Sequence, residues 1–113
     1  MSNAKASIIN GKLHLEEKGI ILPFAAIAYV NIGQLFFVLL ESSPGVIFNE
    51  NIFGILESGD TLWQVEKKSS VYPDSPYTDI WIQDTHLMAH NWDGWDVWID
   101  SKTGKILSKT YTK

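Results

Sequence analysis

Turn-forming residues punctuate this chain at short intervals, and that spacing leaves room for strands but for little else. Asn10-Gly11 separates Ser7–Ile9 from Lys12–Leu15 and predicts a two-residue hairpin. Asn31–Gly33 divides two apolar runs, and Ser42-Ser43-Pro44-Gly45 ends the second. Ser58-Gly59 turns Ile52–Leu56 into Thr61–Glu66, and an irregular loop from Lys67 to Asp79 holds Pro73 and Pro76. Further strands read as Ile80–Gln83, His86–Asn91, Trp95–Asp100 and Lys105–Tyr111. Brief apolar runs bounded by Gly, Pro, Asn and Ser are the pattern of an all-β chain. Phe24–Tyr29 is the one place where a short helix fits.

The segment Ile20–Leu40 carries no charge and has about the length of a bilayer span. Pro23, Asn31, Gly33 and Gln34 interrupt it, and no basic cluster flanks it to set an orientation. Two buried strands joined by a turn explain it better, so no membrane association is expected.

At 113 residues the chain fits one domain. That domain is taken as residues 5–113, because Met1-Ser2-Asn3-Ala4 reads as a cloning remnant and no apolar core follows it to make a secretory signal. Cysteine is absent, which removes disulfides, thiolate metal sites and thiol nucleophiles and suits the cytoplasm. The net charge is −4, and all nine basic residues are lysine. Without arginine the usual bidentate contacts to phosphate and guanine are missing, which argues against nucleic-acid binding. The charges are segregated: no lysine lies between Lys18 and Lys67 or between Lys68 and Lys102, and no acid follows Asp100. A negative body of this kind favours a basic partner, or simply solubility.

Side-chain alternation fixes the strand registers of the C-terminal half. A two-residue turn at Asp93-Gly94 would place His90 on one face with Val97 and Ile99. A three-residue turn with Gly94 left-handed instead pairs Ala89 with Val97 and Leu87 with Ile99, and it keeps one face apolar. The second is the expected register. With Asp84-Thr85 as a two-residue turn, Ile82 meets Leu87 and Ile80 meets Ala89. With a four-residue turn after Asp100, Ile99 meets Ile106.

The same registers place Trp81, Met88, Trp98 and Leu107 in one row on the opposite face. Asp79, His90, Asp96 and Lys109 lie to one side, and Gln83, His86, Asp100 and Lys105 to the other. Asp96 with Lys109 and Asp100 with Lys105 are expected cross-strand neighbours. An apolar row framed by charges is either core, covered by a second sheet or the Pro73–Pro76 loop, or an exposed anchor for a partner. The high average burial of tryptophan favours the covered alternative. Trp92, at the turn tip, is expected to be exposed under both. The candidate partner-binding set is Trp81, Met88, His90, Trp92, Asp96 and Trp98.

No catalytic or metal constellation emerges. His86 and His90 would share an ion on a helix, but on a strand they stand roughly 13 Å apart. Asp79, His90 and Asp96 form a carboxylate–histidine group with no nucleophile nearer than Thr78. The aspartates lack the spacing of a calcium loop, Glu16 and Glu17 point to opposite faces, and no glycine-rich phosphate loop is present. No cofactor is expected.

The run Leu87-Met88-Ala89-His90-Asn91-Trp92-Asp93-Gly94, with Ile99-Asp100-Ser101-Lys102-Thr103-Gly104-Lys105-Ile106-Leu107, resembles a blade repeat of quinoprotein-type β-propellers. Ile55-Leu56-Glu57-Ser58-Gly59-Asp60-Thr61-Leu62-Trp63 is a weaker copy, and the chain is also similar to small uncharacterised bacterial β-domain proteins with such motifs. The resemblance covers roughly the last two thirds of the chain and implies propeller-like strand chemistry without a quinone cofactor, since a propeller needs at least four blades. The expected fold is an antiparallel meander of roughly eight strands, arranged as a sandwich or a strongly bent sheet with propeller-like hairpins. The expected function is non-enzymatic binding of a protein partner, in concrete form an acidic immunity or inhibitor protein that neutralises a bacterial toxin. The alternative is a carbohydrate or small-ligand module that stacks its ligand on Trp81, Trp92 and Trp98. An enzyme ranks last.

Overall fold

The computed structural model describes residues 5–112, so the supposed remnant Met1–Ala4 lies outside it. The strands in chain order are β1 (Ala6–Ile9), β2 (Lys12–Leu15), β3 (Lys18–Gly19), β4 (Ala25–Ile32), β5 (Leu35–Glu41), β6 (Ile52–Leu56), β7 (Thr61–Gln64), β8 (Tyr77–Gln83), β9 (His86–Asn91), β10 (Trp95–Ile99) and β11 (Ile106–Tyr111). They make three antiparallel sheets: β1-β2-β3 at the N-terminus, β4-β5-β6-β7 in the middle, and β11-β10-β9-β8 at the C-terminus. The chain is all-β, but the expected meander of roughly eight strands, as sandwich or bent sheet, is incorrect. The described residues form eleven strands in three sheets and close no barrel or propeller.

The reason for three layers lies in β5. From Phe36 to Leu40 every side chain is buried, because the middle sheet is covered on both faces. Phe37 and Leu39, with Ile52, Trp63 and Val65, pack against Ile80, Leu87, Ala89, Val97 and Ile99 of the C-terminal sheet. Phe36, Val38 and Leu40, with Ile55, pack against Leu13, Leu15 and Ile20 at the N-terminal end. The charge-free segment Ile20–Leu40 is therefore mostly the β4–β5 hairpin. Its turn is Gly33-Gln34, one residue later than expected, because Ile32 pairs with Leu35. Phe24–Tyr29 is not helical, since Ala25–Tyr29 belong to β4. Among the described residues no helix is long and apolar enough to cross a membrane.

Two polar anchors join the middle and C-terminal sheets. Asn51, which is buried, donates through Nδ2 to the carbonyls of Leu40 and Tyr77 (2.9 and 2.8 Å) and accepts the Tyr77 N–H at Oδ1 (2.8 Å). Trp63 donates from Nε1 to the Ser101 carbonyl at 2.8 Å, so a middle-sheet side chain holds the β10–β11 turn. Its indole lies between two glycines. A Cβ on Gly54 would fall 2.4 Å from the ring, and one on Gly104, where φ is +77°, would fall 2.6 Å from it. Phe37 stacks beside the ring with centroids 5.8 Å apart.

Trp63→Ala is therefore expected to destabilise the domain by about 3–5 kcal/mol in urea unfolding. Gly54→Ala alone should cost about 1–3 kcal/mol through overpacking. In the Trp63→Ala background, the Gly54→Ala penalty should largely vanish, because the clash partner is gone. A full Gly54→Ala penalty in that background would show that Trp63 is not what excludes a side chain at residue 54.

Candidate partner-binding face

The registers expected for the C-terminal sheet are present across β8, β9 and β10. Ala89 pairs with Val97, Leu87 with Ile99, Ile82 with Leu87 and Ile80 with Ala89. Gly94 takes φ +98°, as a three-residue turn requires. Ile99 pairs with Ile106, but a bulge follows at once, and Trp98 stands opposite Ser108. The extra residue displaces everything beyond it. Leu107 leaves the Trp81, Met88 and Trp98 row, and Lys109 stands opposite Val97 instead of beside Asp96, whose partner is Thr110.

This shift changes the chemistry of the face. Lys109 moves to the Val97 side, where its Nζ lies 5.2 Å from the Trp95 ring centroid. The outer face keeps Asp79 and Asp96, and among the described residues no lysine occupies a strand position on it. Trp81, Met88 and Trp98 are half-buried, with no sheet packed over them, and they belong to neither core cluster. Covered core is thus the wrong description of the row, because the middle sheet packs on the opposite face of these strands.

Each expected site residue has a definite place. Trp81, Met88 and Trp98 form the row, with Trp81 opposite Met88 and Met88 opposite Trp98. His86 lies nearly parallel to Trp98, with centroids 4.1 Å apart, and Trp81 Nε1 donates to Gln83 Oε1 at 3.2 Å. His90 Nδ1 and Asp96 Oδ1 are hydrogen-bonded at 2.6 Å across β9 and β10. Asp79 is opposite His90, but its carboxylate accepts the Ile80 N–H. Thr78 Oγ1 donates to the His90 backbone carbonyl and not to the ring, which leaves the ring without a nucleophile at that contact. Trp92 is 62% exposed and stands apart from the row, beside Asp74 and Pro76 at the β9–β10 turn. Among the described residues no three His, Asp or Glu side chains gather as metal ligands.

Sequence reasoning missed a buried ion pair below this turn. Lys68 and Asp93 bond to each other with both side chains only 5% exposed. Burial acts to raise the Asp93 pKa, but hydrogen bonds from Lys68 and Ser70 and the Lys68 charge outweigh it, so the carboxyl lies below its ordinary value. Neither residue belongs to a repeat or motif, and the loop between them gives no sign that they meet. Nearby, burial pushes the Tyr77 hydroxyl well above its ordinary pKa, and that hydroxyl has no hydrogen-bond partner among the described residues.

The sequence pattern of the DUF7957 family, described as a domain of unknown function, matches residues 3–111, and the chain belongs to that family. The match is to this domain and not to quinoprotein repeats, so the propeller resemblance reduces to a β domain. No curated protein matches the chain. In fold it is similar to the crystal structure of the computationally designed Ika8 protein, with a TM-score of 0.70 and 12% identity. The alignment covers all of this chain and 35% of that one, so the chain spans about a third of the designed protein's length.

The depressed Asp93 value gives a signed pH dependence. Its contribution to stability is complete above the unfolded carboxylate pKa of about 4 and is lost as pH falls through the lower folded value. Asp93→Asn should cost about 1.5–3 kcal/mol at neutral pH, because Lys68 keeps the Ser69 carbonyl but loses its countercharge. The variant should also lose less further stability between neutral and strongly acidic pH than the parent does. Urea midpoints across that range test both expectations, and parallel acid limbs would remove Asp93 from the account.

Proposed function

We propose that this chain is a non-enzymatic protein-binding domain whose contact surface is the outer face of the C-terminal sheet and whose partner is basic. Its concrete form is an acidic immunity or inhibitor protein that neutralises a bacterial toxin in the cytoplasm. The observation that carries this reading is the charge asymmetry around an uncovered aromatic row. Trp81, Met88 and Trp98 cross three strands, Asp79 and Asp96 flank them, and the bulge in β11 has removed Lys109 from their side. Partly exposed tryptophans become strong anchors once a partner excludes water from them. Carboxylates left without lysine neighbours speed the approach of a positive surface, and the net charge of −4 acts in the same direction.

In this reading His90 and Asp96 orient each other and offer a polar rim. A carbohydrate-stacking role for Trp81, Trp92 and Trp98 has less support. His86 already occupies one side of Trp98, and Trp92 stands at the turn with Asp74 and Pro76 and not in the row.

Trp98 lies outside the core, so Trp98→Ala should leave the thermal melt close to that of the parent. Binding to a basic protein captured from the source organism should weaken by about 2 kcal/mol or more, measured by calorimetry. Asp96→Lys should slow association, and added salt should slow the parent in the same way. Unchanged affinity in both variants, with intact melts, would sink the assignment of this face.

A further inference from the structure

The lysine that the bulge removes from the outer face reappears at the edge of the same sheet. Among the described residues β11 is an edge strand, paired with β10 alone. Its beginning is covered: the Ile106 N–H donates to a Glu66 carboxylate oxygen at 2.7 Å, and the Glu66 N–H donates to the Gly104 carbonyl at 3.0 Å. Beyond Glu66 the chain leaves the strand. Among the described residues, Lys67, Ser69 and Ser70 make no hydrogen bond to β11, and Lys68 turns away to Asp93. Two clefts open in the gap. One, of about 330 Å³, lies between Glu66–Ser69 and Ile106–Lys109. The other, of about 450 Å³, lies between Ser69–Tyr72 and the side chains of Trp95, Lys109 and Tyr111. They share Ser69 and Lys109 and so make one trough along β11.

Strand geometry says what the trough offers. The Thr112 N–H donates to the Gly94 carbonyl at 2.9 Å. Alternation therefore turns the backbone groups of Thr110 and Ser108 toward β10 and those of Lys109 and Tyr111 away from it. Leu107, Tyr111, Val71 and Tyr72 border the trough, and each is at least half exposed. Its acids are already engaged, Glu66 by Ile106 and Asp93 by Lys68, whereas Lys67 and Lys109 line it and Lys105 precedes it.

We propose that this trough receives an extended acidic segment of a partner protein, which joins the C-terminal sheet as a fifth strand beside β11. Backbone pairing to Lys109 and Tyr111 would supply the attachment, and carboxylates set against Lys109 and Lys67 would choose the partner. A second copy fits poorly, because two β11 edges laid together oppose lysine to lysine, the usual device against such pairing. This surface is separate from the tryptophan row and does not depend on the reading given to that row.

A capped octapeptide of alternating valine and glutamate is the probe, with a valine–lysine peptide and an alternately N-methylated valine–glutamate peptide as controls. Tryptophan fluorescence, which includes Trp95 in the trough, follows binding at low salt, and amide exchange follows the backbone of β11. The expected result is saturable binding of the acidic peptide, with new protection at the Lys109 and Tyr111 amides. Lys109→Glu and N-methylation should each weaken binding by about tenfold or more, and Trp98→Ala should leave it unchanged. No saturable binding of the acidic peptide overturns the proposal, as does equal binding of the lysine peptide. Binding indifferent to N-methylation overturns it too, and this control holds even if Lys109→Glu disturbs the fold.

Discussion

The Trp63 indole is what couples the middle and C-terminal sheets of this domain. It projects from β7, fits between Gly54 of the adjacent β6 and Gly104 of the β10–β11 turn, and donates to the Ser101 carbonyl in that turn. A ring wedged between two residues without side chains tolerates little displacement, because close-packed interiors turn small shifts into clashes. The position of the β10–β11 turn relative to the middle sheet follows. Asn51 repeats the device on the other side of the core, where one buried amide satisfies backbone groups of both Leu40 and Tyr77. The loop before β8 is held by the same means. Asn49 bonds to the Pro73 carbonyl and the Ser75 N–H, and Asn91 bonds to the Ser75 carbonyl and hydroxyl.

With the inner face of the C-terminal sheet committed to the core, its outer face and its edge are what remain. Their different characters come from a single local event, the bulge between Trp98 and Ile99 in the β10–β11 pairing. A regular ladder would have put Lys109 next to Asp96, partly neutralising the face and leaving the edge without its central charge. One extra residue gives an aromatic row bordered by acids and, around the corner, a strand edge with lysine at its centre. Bulges near sheet edges commonly re-aim side chains in this way.

The sequence by itself determined the β1–β2, β8–β9 and β9–β10 hairpins, because those depend on neighbours. Asn10-Gly11, Asp84-Thr85 and Asp93-Gly94 are turn chemistry, and alternation of Leu87, Ala89, Val97 and Ile99 admits only one register if a face is to be buried. The candidate residues Trp81, Met88 and Trp98 could be placed on one face for the same reason. Tertiary structure alone decided how many sheets there are, since a continuously apolar β5 states that both faces are buried without stating by what. It also decided that the tryptophan row is uncovered, that Leu107 and Lys109 fall out of line, and that Lys68 meets Asp93. Each of these depends on contacts between segments far apart in the chain or on an irregularity with no local code, and neither leaves a periodic trace in the sequence.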